Sequence, residues 1–428
     1  MDAQTDHRAR PAYVPTRRRG SVDRVVLCGI AAALMIGLAG SAGAQADWPG
    51  FGGPNHDGKS SDTGLLKQWP EGGPKLLWKA PGIGKGYSSV AVVDGIAYTT
   101  GDIAGRLFVS AIDSTGKGLW QAVADSAWEG DHPGARSTPT LDGGNLYIES
   151  GNGVVGCHDA KTGKRKWVQN LRDLGGSPHG WGYAESVLIL GKLAIVTPGG
   201  EHCIVALDKA TGKPVWSTSG WQAVPQYGGN YPFVRDGVPM IANGTSEGLA
   251  CVNARDGSLL WYNTFSAHNT ANCPTPIYSE GYVFWANGYG KGGLCLKLSA
   301  AGGKVSAQEA WRTRDMDCRH GGYVVHEGYV YGNNGGGWAC LDLKTGRTMW
   351  KNGGVGKGSL CYADGMLYLF GEDGGRVGLA TCSPQGMELR GTFSVQGNGP
   401  SWAHPVVIGG RLYLRYDDNL YCYDVKTD

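Results

Sequence analysis

The sequence predicts an all-β fold, an eight-bladed β-propeller of four-stranded antiparallel blades. Three observations predict it. Glycine supplies 73 of 428 residues, more than twice the usual share of roughly 7%. An aromatic anchor recurs every 39 to 50 residues, the period of a four-stranded blade and not of a helical repeat. Eight tight-turn signals alternate with those anchors. Glycine costs about 1 kcal/mol at each helix-interior position, which excludes a helical bundle or solenoid. No glycine recurs strictly every third residue, which excludes collagen. A hydrophobic content of 41% is ample for a large core and excludes wholesale disorder.

Residues 1–44 read as a secretory signal peptide. Arg8, Arg10, Arg17, Arg18, Arg19 and Arg24 form a basic front, Val25 to Leu38 an apolar run, and Ala42-Gly-Ala44 a small-residue cleavage site. The run is shorter than the ~20 residues a spanning helix needs. Cleavage after Ala44 is expected, leaving no integral membrane span and an exported chain, periplasmic or extracellular. Removing the leader's six arginines and three aspartates from totals of 39 and 37 leaves 33 basic and 34 acidic residues. A nearly neutral chain has no general pull on nucleic acid; a monomer is expected. Residues 45–74 read as an N-terminal extension and 75–428 as the propeller.

The repeat is explicit. Ala111-Ile-Asp113-Ser-Thr115-Gly116 to Trp120 recurs as Cys157-His-Asp159-Ala-Lys-Thr162-Gly163 to Trp167 and as Ala206-Leu-Asp208-Lys-Ala-Thr211-Gly212 to Trp216. Looser copies end at Trp261, Trp311 and Trp350, and Phe393 takes the anchor place in a copy that has nearly vanished. Cys422-Tyr-Asp424 opens a last copy that ends before its Trp, while Trp78 stands alone near the front. Strand 75–80 is therefore expected to complete the C-terminal blade and close the ring. The hairpins lie out of phase with the anchors: Asp94-Gly95, Gly143-Gly144, Gly191, Asp236-Gly237, Glu280-Gly281, Glu327-Gly328, Asp364-Gly365 and Gly409-Gly410. Asp-Gly suits such turns because both central residues take φ > 0. In Asp-x-x-Thr-Gly, the carboxylate bonds backbone N–H groups just ahead, and the small Ala or Cys makes room for an indole.

Other motifs resolve on context. Gly151-Asn-Gly153-Val-Val-Gly156 precedes a strand, whereas a dinucleotide fingerprint opens a helix. Gly84-Lys85-Gly86 and Gly356-Lys357-Gly358 share one repeat phase and lack the residues of a phosphate loop. Of the ten cysteines after the leader, Cys157, Cys251, Cys295, Cys340 and Cys422 occupy the small slot of the repeat. Cys203, Cys273, Cys318, Cys361 and Cys382 lie outside it, and export permits a disulfide among them.

Residues just ahead of each first strand should ring one mouth of the central channel, where a ligand site is expected. Blade by blade they are Lys85 and Tyr87; His132 and Arg136; His179, Trp181, Tyr183 and Glu185; Tyr227 and Tyr231; His268 and Asn272; Arg319 and His320; Lys357; Trp402 and His404. Five of the nine histidines beyond the leader fall in this phase. Such a ring suits an anion, a polar ligand or a metal.

The Ala-x-Asp-x-x-Thr-Gly-x-x-x-Trp pattern resembles the repeat of the pyrroloquinoline-quinone (PQQ)-like propeller superfamily, over roughly residues 75–428. That superfamily holds PQQ- and calcium-dependent alcohol dehydrogenases and non-catalytic BamB-like envelope propellers. The sequence lacks the dehydrogenases' adjacent cysteine pair and a Cys-x-x-Cys-His haem site. The resemblance therefore implies first a non-catalytic exported scaffold presenting a face to an envelope protein or polymer. As an alternative it implies a PQQ- and calcium-dependent alcohol or sugar oxidoreductase, with Trp181 or Trp402 stacking on the quinone and Glu185 helping bind calcium. A carbohydrate-binding propeller is the third reading, from the abundant Trp and Tyr.

Overall fold

The computed structural model describes residues 47–268, 270–301 and 304–427. The expected leader and its cleavage site lie outside the described residues. Eight four-stranded antiparallel sheets follow one another along the chain: residues 91–126, 140–170, 188–217, 231–263, 277–313, 323–352 and 358–394 form blades 1 to 7. Blade 8 takes three strands from residues 406–424 and its fourth, Lys75–Pro81, from the front of the chain. There Trp78 pairs with Cys422 and Lys75 with Asp424, so the anchor missing from the last repeat is indeed supplied by Trp78. First strands of neighbouring blades touch one another at the seams of blades 1–2, 2–3, 4–5, 6–7 and 7–8, which places them on the channel.

Local chemistry explains the repeat. At the hairpins, Asp94 and Gly95 have φ of 51° and 74°, and Asp236 and Gly237 have 49° and 76°. Asp159 Oδ1 accepts bonds from the Lys161 and Thr162 N–H groups and the Thr162 hydroxyl, at 2.9 to 3.1 Å. Asp208 and Asp342 do the same. The turn glycine then lies under the indole of the preceding blade, Gly163 on Trp120, Gly212 on Trp167 and Gly257 on Trp216. Within its own blade each anchor faces the small residue across the ladder, as in Ala111–Trp120 and Cys340–Trp350. Trp78, Trp167, Trp311 and Trp350 each donate Nε1–H to a carbonyl of the next blade, at 2.7 to 3.1 Å.

A Cβ on Gly212 would sit 2.5 Å from Trp167 at φ +73°. Gly212→Ala is therefore expected to cost about 2–4 kcal/mol, backbone strain plus overpacking. Gly237→Ala, with positive φ but open space around it, should cost only about 1–2 kcal/mol. Urea denaturation of both variants checks the difference.

Blade 7 departs from the expected pattern. The place opposite Leu379 is held by Gly391, and Phe393 lies two residues further on. Trp69, from the N-terminal extension, packs on Gly391 and reaches Tyr368 at 6.0 Å. That is the spacing of Tyr98–Trp120 and Tyr331–Trp350, at 6.1 Å in their own blades. Trp69, and not Phe393, is the anchor of this blade.

Trp69 belongs to a segment that enters the ring from the hairpin face and leaves by it, with Asp47 accepting from the Asp94 N–H and Asp62 from the Gly410 N–H. Trp48 exchanges backbone hydrogen bonds with Val92 of blade 1, and Pro49 accepts from Leu141 of blade 2. After a turn at residues 51–58, Lys59–Ser60 pairs in parallel with the first strand of blade 7, Gly358–Ala363. Asp62 and Leu66 then bind blade 8. Trp48, Leu65 and Trp69 are buried, so the segment is clamped at both ends and plugs the channel.

Candidate functional site

The approaches to the first strands converge on one face around a cavity of about 260 Å³. Its floor is Phe51, at the tip of the inserted segment, so the cavity is blind. Of the residues expected there, Tyr87, His132, Arg136, Trp181, Arg319, His320, Trp402 and His404 line it, as does Tyr227. Trp402 is the hub. His320 stacks on it at 4.0 Å, Tyr87 approaches to 4.7 Å and His132 to 5.4 Å. On the other side Trp181 packs against His179 and Tyr227. His404 rests on Phe51 at 4.9 Å.

The remaining expected residues do not line the cavity, and Lys85 and His268 are exposed to solvent. His179 is bonded to the Tyr227 hydroxyl, and the Tyr183 hydroxyl donates to Pro198 O at 2.9 Å. Glu185 is buried and points away from its neighbours Ala184 and Ser186, which do line the cavity. Asn272 is buried against Gln226, donating to its side-chain oxygen at 2.9 Å, and His268 is held by Ser266. Lys85 pairs through its backbone with Asp102. Lys357 lies behind Glu372, at 3.0 Å from its carboxylate. Tyr231 is buried in blade 4.

Phe51, Tyr289, Glu372 and Cys273 also line the cavity, and the sequence pattern did not single them out. Tyr289 and Glu372 follow the second strands of blades 5 and 7, a loop set that opens on the same face. A charged residue inside the glycine-rich turn Gly371-Glu-Asp-Gly-Gly375 is the signal that marks Glu372. Nothing local marks Phe51, because its place depends on the insertion.

The electrostatics favour an anion. The Arg136 guanidinium is held by the carbonyls of His132, Gly134 and Asp131 at 2.6, 2.8 and 3.1 Å; among the described residues it forms no ion pair, and the buried Asp102 carboxyl acts on it only at longer range. Arg319 lies over the Tyr289 ring at 4.7 Å. Glu372 is matched by Lys357. Burial pushes His320 down to about 4, against the pull of Glu372, and burial likewise lowers His404, so both are neutral at pH 7. Two polar atoms in the wall, Trp402 Nε1 and His320 Nδ1, have no partner among the described residues.

Histidines held neutral by burial make the fold acid-sensitive. His158 fills a buried place in blade 2 that Leu207 and Leu341 fill in blades 3 and 6, and its Nε2 has no partner. Burial lowers its pKa, so the unfolded chain binds the proton more readily. Stability is then full above pH 6.5 and falls as pH drops below it. His158→Leu is expected to shrink the loss between pH 7 and 5, read from urea midpoints at each pH.

The fold and site together define an eight-bladed propeller with a blind, cationic, aromatic-walled mouth. Its repeats place it among the PQQ-like propellers. The family model described as outer membrane protein assembly factor BamB matches residues 72–352, and the chain belongs to that family. It is 28% identical over 203 residues to the outer membrane protein assembly factor BamB of Burkholderia pseudomallei, covering 45% of this chain and 49% of the relative. The protein of that name from Yersinia pestis is 28% identical over 244 residues, covering 50% of this chain and 55% of the relative. The chain thus spans about half the length of the curated relatives it matches. The solved BamB of Moraxella catarrhalis shares the fold at 18% identity and a TM-score of 0.60, over 82% of this chain and 99% of that one. The quinohemoprotein alcohol dehydrogenase of Comamonas testosteroni does so at 14% identity and 0.61, over 88% and 80%.

Proposed function

We propose that this protein is an exported, non-catalytic binding or scaffold propeller of the cell envelope, and that the blind mouth is its recognition site. The carrying observation is the mouth itself: aromatic walls, two guanidinium groups and a closed floor suit capture of an anionic, ring-bearing group. Family membership supports an envelope role, since the matched relatives are named as outer membrane protein assembly factors. No helix among the described residues is long and apolar enough to cross a membrane. The alternative reading, a PQQ- and calcium-dependent alcohol or sugar oxidoreductase, has one observation in its favour: a flat polyanionic quinone matches the same charges. Against it, Glu185 does not reach the mouth.

Titrating residues 45–428 with PQQ, with and without calcium, and then offering alcohols and sugars with an electron-accepting dye separates the two. The expected result is no dye reduction at any quinone concentration. Calcium-dependent binding followed by dye reduction would make the mouth an active site and overturn the proposal.

A further inference from the structure

On the face opposite the mouth, the tips of blades 2 and 3 carry a cluster of cations. Each first strand starts at the mouth, so its hairpin, and the turn between strands three and four, lie on the far face. In blades 2 and 3 these tips are residues 142–145, 159–166, 190–193 and 208–214. They hold seven basic residues, six of them lysine, against three carboxylates, a net charge of +4. The matching tips of the other six blades hold more acidic than basic residues. At physiological salt a charge is felt over only about 8 Å, so this patch acts by itself in a chain whose total charge is nearly balanced.

Polar contacts join the tips of the two blades into one surface. Lys209 Nζ reaches Asp142, at the blade 2 hairpin, at 2.5 Å. The Lys209 carbonyl accepts from the Tyr147 hydroxyl and the Trp167 indole of blade 2 at 3.2 and 3.1 Å, and its N–H donates to Lys192 O at 2.9 Å. Lys166 spans its own blade from Asp159, at 3.2 Å, to Asn145, at 2.6 Å. Asp208, bound within its own turn, feels Lys192 only at longer range. Four ammonium groups are then left over. Lys161, Lys164, Lys192 and Lys213 are exposed, and none forms an ion pair among the described residues.

The kind of cation points to the kind of partner. Bidentate recognition of a single phosphate or carboxylate uses the planar fork of arginine. The one guanidinium here, Arg165, is turned to Ala124 O of blade 1. Lysine is a compact, hydrated point charge on a flexible stem. The four free ones stand on three separate tips and offer a spread of charge in place of a pocket. Clusters of four to eight such charges suit the diffuse negative layer of a lipid surface.

We propose that the hairpin face of blades 2 and 3 docks on an anionic lipid bilayer, with the mouth turned away from it. The attraction is electrostatic, requires no fixed stereochemistry and leaves the mouth open. The surface lies at the other end of the channel and does not depend on the function proposed for the mouth.

The test sediments the protein with vesicles of phosphatidylglycerol and phosphatidylcholine, or of phosphatidylcholine alone, in low (about 50 mM) and high (about 500 mM) sodium chloride. The expected result is binding to the anionic vesicles in low salt, its loss in high salt, and none to the neutral vesicles. Combining Lys161→Gln, Lys164→Gln, Lys192→Gln and Lys213→Gln should weaken binding about a hundredfold, since each lysine near an anionic surface counts for roughly fivefold. The thermal midpoint should not move, because the four side chains are exposed and form no ion pair. Removing the same charge at exposed sites on other blades, by Arg106→Gln, Lys297→Gln, Lys304→Gln and Arg376→Gln, should leave binding within about threefold. Equal losses in the two variants would overturn the proposal by tracing the attraction to net charge. So would absence of wild-type binding to the anionic vesicles in low salt.

Discussion

Replacing Arg415 with methionine is expected to lower the unfolding free energy by about 3–5 kcal/mol, the range for disrupting a buried charged network. Arg415 is 2% exposed, in the second strand of blade 8. Its guanidinium reaches across the closing seam into blade 1. It donates to Gly84 O at 2.9 Å and Thr99 Oγ1 at 3.1 Å, and to Ser88 Oγ and Thr100 O. A further bond runs to Asp417 O at 3.1 Å. Burial pulls its pKa down to about 10, so it remains charged at pH 7. Methionine keeps the apolar stem but strips the donors, leaving the buried Gly84 carbonyl without its partner at about 1–3 kcal/mol, while Thr100 O keeps only its bond from the Ser88 hydroxyl. Lysine can serve only part of this set and should recover about half. Urea denaturation of the three proteins reads the effect. A loss below about 1 kcal/mol would mean that the strand pairing of Lys75–Pro81 closes the ring unaided.

Trp69→Ala is expected to cost about 3–5 kcal/mol, the range for truncating a buried Trp. Trp69 is 3% exposed and packs on Gly391, Tyr368 and Phe393. Its loss leaves blade 7 without an anchor and frees one end of the segment that carries Phe51. Stability and the cavity floor should therefore fail together. Limited proteolysis should cut the variant within residues 52–58 faster than the wild type. Destabilisation without faster cleavage would show that Trp48 and Lys59–Ser60 hold the segment by themselves.

Much of this architecture was legible because it repeats. Asp-x-x-Thr-Gly marks a turn whose carboxylate does the same work in three blades, and the unfinished copy at Cys422 pointed to Trp78 across the length of the chain. The mouth was legible by phase: residues ahead of first strands share one face, and His132, Arg136, His320 and Trp402 all arrived in the cavity. Phase alone could not tell which side of the strand a residue faces. Ala184 and Ser186 look into the cavity while Glu185 between them looks away from it, because side chains alternate in extended chain. The inserted segment was not legible at all. Trp48, Phe51 and Trp69 belong to no repeat, and their places follow from backbone bonds that no local pattern announces, from Trp48 to Val92 and from Trp69 to Arg390 at the far end of the chain.

The claim that the mouth is the recognition site is tested most directly by site-specific photocrosslinking in cells. A photoreactive residue replaces Tyr289, 43% exposed at the cavity rim, or Val215, 56% exposed on the outer strand of blade 3. The account predicts a discrete envelope adduct from position 289 and none from 215, and predicts that Arg136→Ala or Trp402→Ala abolishes it. Equal adducts from both positions, or an adduct at 289 indifferent to those substitutions, would contradict it.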